Sequence, residues 1–89
     1  MKVVWTAGAL RDLGAVRAYL HSFNPVAARR IAQALLLAGD SLSLFPSRGR
    51  VGLESGTREL VAVQPYVLVY EVSAAEVVIL AIWHGAQDR

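Results

Sequence analysis

The apolar positions of this chain change their period part-way along. From about residue 9 to residue 42 they recur at three- and four-residue steps; from residue 57 onward they form short, nearly continuous runs. Three- and four-residue steps lay one stripe along a helix, whereas short β-branched and aromatic runs bounded by turn residues are strands. Val3-Val4-Trp5 opens as a short strand. Thr6-Ala7-Gly8-Ala9 can cap a helix from about Ala9 to His21, whose stripe is Leu10, Leu13, Val16, Leu20 and Phe23. A second helix runs from Pro25 to about Leu42, with Asn24 as N-cap and Pro25 at the first position, where its missing N–H does no harm. Its apolar face (Ala27, Ala28, Ile31, Ala32, Leu35, Ala38 and Leu42) is rich in small residues that permit close approach, and Leu36 and Leu37 widen it beyond what one partner needs.

Pro46 ends that helix. Ser47 to Gly56 has no periodicity and reads as a loop. Strands follow at Thr57–Val63, Tyr66–Val72 and Glu76–His84, joined by Gln64-Pro65 and Ser73-Ala74-Ala75, both short enough for hairpins. The expected fold is α+β in the order βααβββ, a two-helix hairpin packed on a small twisted antiparallel sheet, with residues 1–89 as one domain.

Of the 89 residues, 55% are hydrophobic, which is high for a chain whose small size gives it a thin core. Either the sheet is buried on both faces or an apolar surface is kept for a partner. No apolar run approaches the roughly 18–20 residues of a membrane helix. Met1-Lys2 leads straight into a strand, so neither a leader nor a membrane segment is expected. The absence of cysteine removes disulfides and thiolate metal sites, and fits a cytoplasmic location. Net charge is +2, and the cations are arginines (Arg11, Arg17, Arg29, Arg30, Arg48, Arg50, Arg58 and Arg89) against a lone Lys2. GC-rich coding gives such a bias, and so does a surface that grips carboxylate or phosphate with a planar fork.

The ordered blocks carry more than their composition. An opening strand, Asn24-Pro25 with Ala27-Ala28-Arg29-Arg30, and Leu44-Phe45-Pro46 with Gly49-Arg50 are followed by Thr57-Arg58-Glu59-Leu60. Then come Tyr66-Val67-Leu68-Val69-Tyr70-Glu71-Val72 and Val78-Ile79-Leu80-Ala81-Ile82-Trp83-His84-Gly85. This set resembles the RelE/ParE toxin superfamily across nearly the whole chain. The resemblance implies the toxin half of a bacterial type II toxin–antitoxin module of the plasmid-stabilisation kind, neutralised by a cognate antitoxin and reaching operator DNA only through it. RelE-like members resemble ribosome-dependent endoribonucleases that cut messenger RNA; ParE-like members resemble poisons of DNA gyrase with no ribonuclease site. RelE-like enzymes carry Arg where this chain has Val67, and often a basic residue where it has Leu60. Losing one charged donor to a phosphorane costs about 10²–10³ in rate. The expected activity is therefore ParE-like, with no enzyme chemistry and no cofactor. The alternatives are an mRNA endoribonuclease using Arg50, Arg58 and His84, or a degenerate, non-toxic module that only binds antitoxin.

Target contact is expected from Arg48, Arg50, Arg58, Trp83 and His84. Arg58 starts a strand after a Gly56 turn; its structural reading is a surface pair with Glu59 or Glu71. Arg48 and Arg50 flank Gly49 in a loop, where solvated charge is the plain alternative. An imidazole can serve as a general base near neutral pH, which makes His84 a candidate, and Trp83 beside it must point to the other sheet face, as the core member of the two. If the strand ends meet, Arg58 and Trp83-His84 form one basic-aromatic rim. Tyr66 and Tyr70 share a face with Leu68 and belong to the core, and His21 sits favourably at a helix C-terminus without a function. Two separated histidines make no metal site.

Overall fold

The computed structural model describes residues 1–85, so Arg89 lies outside it. The order is β1 (Lys2–Trp5), α1 (Ala7–His21), α2 (Pro25–Ser41), β2 (Arg50–Val51), β3 (Thr57–Val63), β4 (Tyr66–Val72) and β5 (Glu76–His84). Helix α1 starts two residues before its expected position because Thr6 is the cap, its hydroxyl accepting from the Ala9 amide at 3.0 Å. Asn24 caps α2 in the same way, accepting from the Ala27 amide at 3.1 Å. Among the described residues no helix is long and apolar enough to cross a membrane.

The fold is α+β as expected, with two refinements. The sheet has five strands in the order β1-β5-β4-β3-β2. Strands β3, β4 and β5 make the expected antiparallel meander, but β1 lies parallel to β5, pairing Lys2 with Glu76 through Trp5 with Ile79. The sheet is therefore mixed. A parallel neighbour needs a long connection, which the helices and the meander provide. The extra strand β2 falls inside the segment expected to be loop, pairing Arg50 with Glu59 and Val51 with Arg58. Two residues are too few to show a period.

Both helices cover one face of the sheet. Leu35 of α2, Leu42 at its C-cap and Ala9 of α1 meet Leu60, Tyr66, Leu68, Tyr70, Val77, Ile79 and Ile82 in the core. Tyr66 and Tyr70 belong to it, as expected. On α1 the buried stripe differs from the expected one only at its ends. Ala9, Leu13, Val16 and Leu20 face inward, while Leu10 and Phe23 are exposed. Gly39 of α2 lies so close to β1 that an added Cβ would strike the Trp5 ring.

Candidate functional site

The segment between α2 and β3 is irregular but firmly held. The hydroxyl of Tyr70, fully buried on β4, donates to the Pro46 carbonyl at 2.8 Å and accepts from the Gly49 amide at 2.9 Å. Arg58 donates from Nη1 to the Gly49 carbonyl at 2.7 Å and to the Ser47 carbonyl at 3.5 Å. Gly49 is thus gripped at both its amide and its carbonyl. A Cβ there would lie 2.8 Å from both the Tyr70 hydroxyl and the Glu59 carbonyl. Glu59, only 3% exposed, accepts from Arg50 Nη2 at 3.1 Å and from the Leu53 amide at 3.4 Å. The ion partner of Glu59 is therefore Arg50 rather than Arg58. On either side of Gly49, Arg48 and Arg50 stay exposed. Arg48 Nη1 donates to Ser41 Oγ at 2.7 Å, at the end of α2.

The register decides which candidates meet. Val51, Arg58, Tyr70 and Ile79 form a row across the helix-bearing face, and Tyr66 pairs with His84 four residues along β4. At about 3.4 Å per residue, Arg58 and His84 are on the order of 13 Å apart along the strands. The expected single rim does not form. Strands β3 and β5 are both antiparallel to β4, so the start of one cannot lie beside the end of the other. Arg50 stands on the opposite face, in a row with Glu59, Val69 and Ala81. The set Arg50, Arg58 and His84 is therefore divided between two faces and two ends.

A bulge in β5 sets the orientation of Trp83 and His84. Tyr70 pairs with Ile79 but Val69 pairs with Ala81, so Leu80 is an extra residue and alternation reverses beyond it. His84 then faces the helix side, exposed, with its ring edge-on to Tyr66 at 5.6 Å between centroids. Trp83 is half-buried on the other face, in a row with Val61 and Val67, and is not the core member expected of it. The positions where the RelE-like pattern is basic here carry a buried valine (Val67) and a core leucine (Leu60). Sequence reasoning missed the Tyr70 hydroxyl and the pinch at Gly49. The available signal was a glycine between two arginines just before the strands.

A second concavity lies between the helices, a cleft of about 630 Å³ lined by Gly14, Arg17, Ala18, His21, Pro25, Ala28 and Arg29. Small residues leave the space, and three basic side chains border it.

With this geometry in hand, comparison with known proteins places the chain. The sequence model for the ParE toxin of the type II toxin-antitoxin system, parDE, matches residues 3–89. The chain belongs to the ParE toxin family. Among curated relatives of this ParE-family chain is Toxin RelE2 of Caulobacter vibrioides, 48% identical over 86 residues and covering 97% of each chain. Toxin RelE1 of the same organism is 34% identical over 90 residues, covering 98% of this chain and 96% of its own. A solved structure described as the chromosomal ParDE TA system from P. aeruginosa superposes with a TM-score of 0.88 at 25% identity, over 94% of this chain and 95% of that one. The ParE-family fold is shared nearly end to end, and the protein is a toxin of a type II toxin–antitoxin module.

Proposed function

We propose that this ParE-family toxin acts in the cytoplasm by binding DNA gyrase and stopping replication, without cutting RNA. The observation that carries this reading is the separation of Arg50, Arg58 and His84. A general base and a phosphate clamp must each reach the same reacting group within about one hydrogen-bond length. Here the guanidinium of Arg58 is engaged with loop carbonyls, Arg50 with Glu59, and His84 lies at the far end of the sheet. The cognate antitoxin is the other partner, and the exposed apolar side chains Phe23, Leu36 and Leu37 on the helix hairpin are surface it would cover.

One observation favours a second reading. The relatives at 48% and 34% identity both carry the RelE name, which points to ribosome-dependent cleavage of messenger RNA. Induction of the toxin in growing cells separates the two. We expect thymidine incorporation to stop and cells to filament while methionine incorporation continues. Codon-specific cuts in ribosome-bound messenger RNA, mapped by primer extension and lost in Arg58→Ala or His84→Ala, would establish the RelE-like reading instead. No effect on growth would leave a module that only binds antitoxin.

A further inference from the structure

Of the surfaces outside the core, the edge of the sheet around β2 combines the most independent features. Its backbone is fixed by three side chains, two from β3 and one from β4. Tyr70 holds Pro46 and Gly49, Arg58 holds Ser47 and Gly49, and Glu59 holds Leu53 and the guanidinium of Arg50. A segment with no helix or long strand of its own does not acquire such a clamp by being a mere connection, which is ordinarily variable and mobile. What the clamp presents outward is specific. Arg48 and Arg50 project on either side of the pinned glycine, each with one side-chain partner, Ser41 and Glu59, and further guanidinium donors toward solvent. Around them Leu44 is 78% exposed, Val51 76% and Leu53 72%, and Phe45, Pro46, Ser47 and Arg48 enclose a shallow hollow of about 490 Å³.

We infer that the Phe45–Leu53 edge is the surface with which this toxin grips its target, and that the surface it fits is an acidic patch on a protein, with an apolar side chain seated beside Phe45. This rests on the reading that toxicity is exerted by binding, and it assigns the contact within that reading. Arginine and aromatic side chains beside apolar neighbours make the energetic centre of protein interfaces. A fork such as Arg50, already oriented by Glu59, loses little freedom when it closes on a carboxylate. Nucleic acid fits less well. Between residues 44 and 56 the only cations are Arg48 and Arg50, and Glu54 opposes them, whereas phosphate-tracking surfaces array many cations along one face. In this arrangement Arg58 is a positioning residue rather than a contact. Tyr70, fully buried, acts only through the loop.

The test uses the toxin co-expressed with the antitoxin of its module, and reads three quantities. These are the inducer dose that arrests growth when the toxin is expressed alone, the antitoxin affinity, and amide exchange of residues 47–53 in the purified complex. Arg48→Ala and Arg50→Gln leave in place the bonds from Tyr70 and Arg58 that hold residues 46–49. We expect each to raise the arresting dose about tenfold or more, with exchange of residues 47–49 and antitoxin affinity unchanged. Tyr70→Phe removes one acceptor and one donor from the loop. We expect faster exchange confined to 47–53 and a raised arresting dose, an effect that loss of overall stability would spread across the chain. Unchanged arrest in the Arg48→Ala, Arg50→Gln double variant overturns the inference. So does a matching loss of antitoxin affinity, which would make this edge the antitoxin's seat, or retention of DNA by the free toxin that depends on the two arginines. Arrest of translation instead of replication would defeat the gyrase reading and leave this one to be judged by the same variants.

Discussion

Asp12 on α1 accepts a hydrogen bond at 3.0 Å from the amide of Ile82 on β5, across 70 positions of sequence. The bond lies just past the bulge at Leu80, where the ladder is interrupted and an amide needs another acceptor. Thr6 holds the other side. Its amide donates to the Ile79 carbonyl at 3.1 Å, and its hydroxyl donates to the Leu80 carbonyl at 3.2 Å while capping α1. The first helix and the bulge thus fix one another, and the bulge decides which faces Trp83 and His84 take.

Asp12→Ala leaves the part-buried Ile82 amide without this acceptor, at a cost of about 1–3 kcal/mol. For a domain of this size each kcal/mol lowers Tm by about 4–8 °C. Asp12→Asn keeps an acceptor and should melt close to the parent. Thermal denaturation followed by circular dichroism checks both; an Asp12→Ala protein that melts with the parent would mean that water replaces the carboxylate.

The helices and the meander were legible in the sequence because their signals are local: a cap, a proline at the first turn, a change of period. The bulge was not. From Val77 to Trp83 every residue is apolar, so alternation leaves no mark on which face each occupies, and one extra residue reverses the last two without trace. The parallel pairing of β1 and the two-residue β2 are set by contacts distant in sequence. The candidate arginines were legible as types, but their division into presented and positioning residues depends on the Tyr70 hydroxyl, which the pattern shows only as a core aromatic. Leu13, Val16 and Leu20 of the α1 stripe were legible and only its ends were not: Ala9 is too small to stand out beside the exposed Leu10, and the exposed Phe23 lies beyond the helix.

Two glycines should respond to alanine with opposite signs. At Gly49 the new Cβ would lie 2.8 Å from the Tyr70 hydroxyl and from the Glu59 backbone, neither of which is the end of a flexible chain, and forcing them apart costs about 1–3 kcal/mol. At Gly14, inside α1, nothing lies within 4 Å, and alanine should stabilise by about 0.5–1 kcal/mol through its better helix propensity. Denaturant midpoints of the two variants give the comparison directly. A neutral Gly49→Ala would show that the loop yields, and that the clamp is weaker than its hydrogen bonds suggest.

Apolar exposure predicts behaviour in solution. Tyr19, Phe23 and Val26 stand out at the tip of the helix hairpin, with Tyr19 and Phe23 edge-on at 5.1 Å, and Leu36 and Leu37 are exposed farther along α2. Contiguous apolar patches beyond a few hundred Å² mark binding surfaces. The isolated toxin should self-associate, and the antitoxin complex should be monodisperse, with a lasting interface of roughly 2,000 Å² or more. Light scattering on both samples decides the matter; a toxin that stays monomeric at high concentration on its own would count against the antitoxin covering these residues.

Trp83 and His84 are neighbours in sequence but face opposite sides of the sheet, so a single partner lying against one face cannot contact both fully. Trp83 shares its face with Arg50, in the row of Val61 and Val67, whereas His84 lies beside Tyr66 under the helix side. A partner that engages Arg50 can extend across this face toward Trp83 but cannot reach His84. Trp83→Ala should therefore weaken growth arrest, while His84→Ala should leave it unchanged and affect only stability. The lost edge contact to Tyr66 is worth at most about 0.5–1.5 kcal/mol, and less at an exposed site. Arresting dose and Tm measured on both variants separate the two effects. Arrest lost in His84→Ala with an unchanged Tm, and kept in Trp83→Ala, would put the contact at the Tyr66 end of the helix-bearing face.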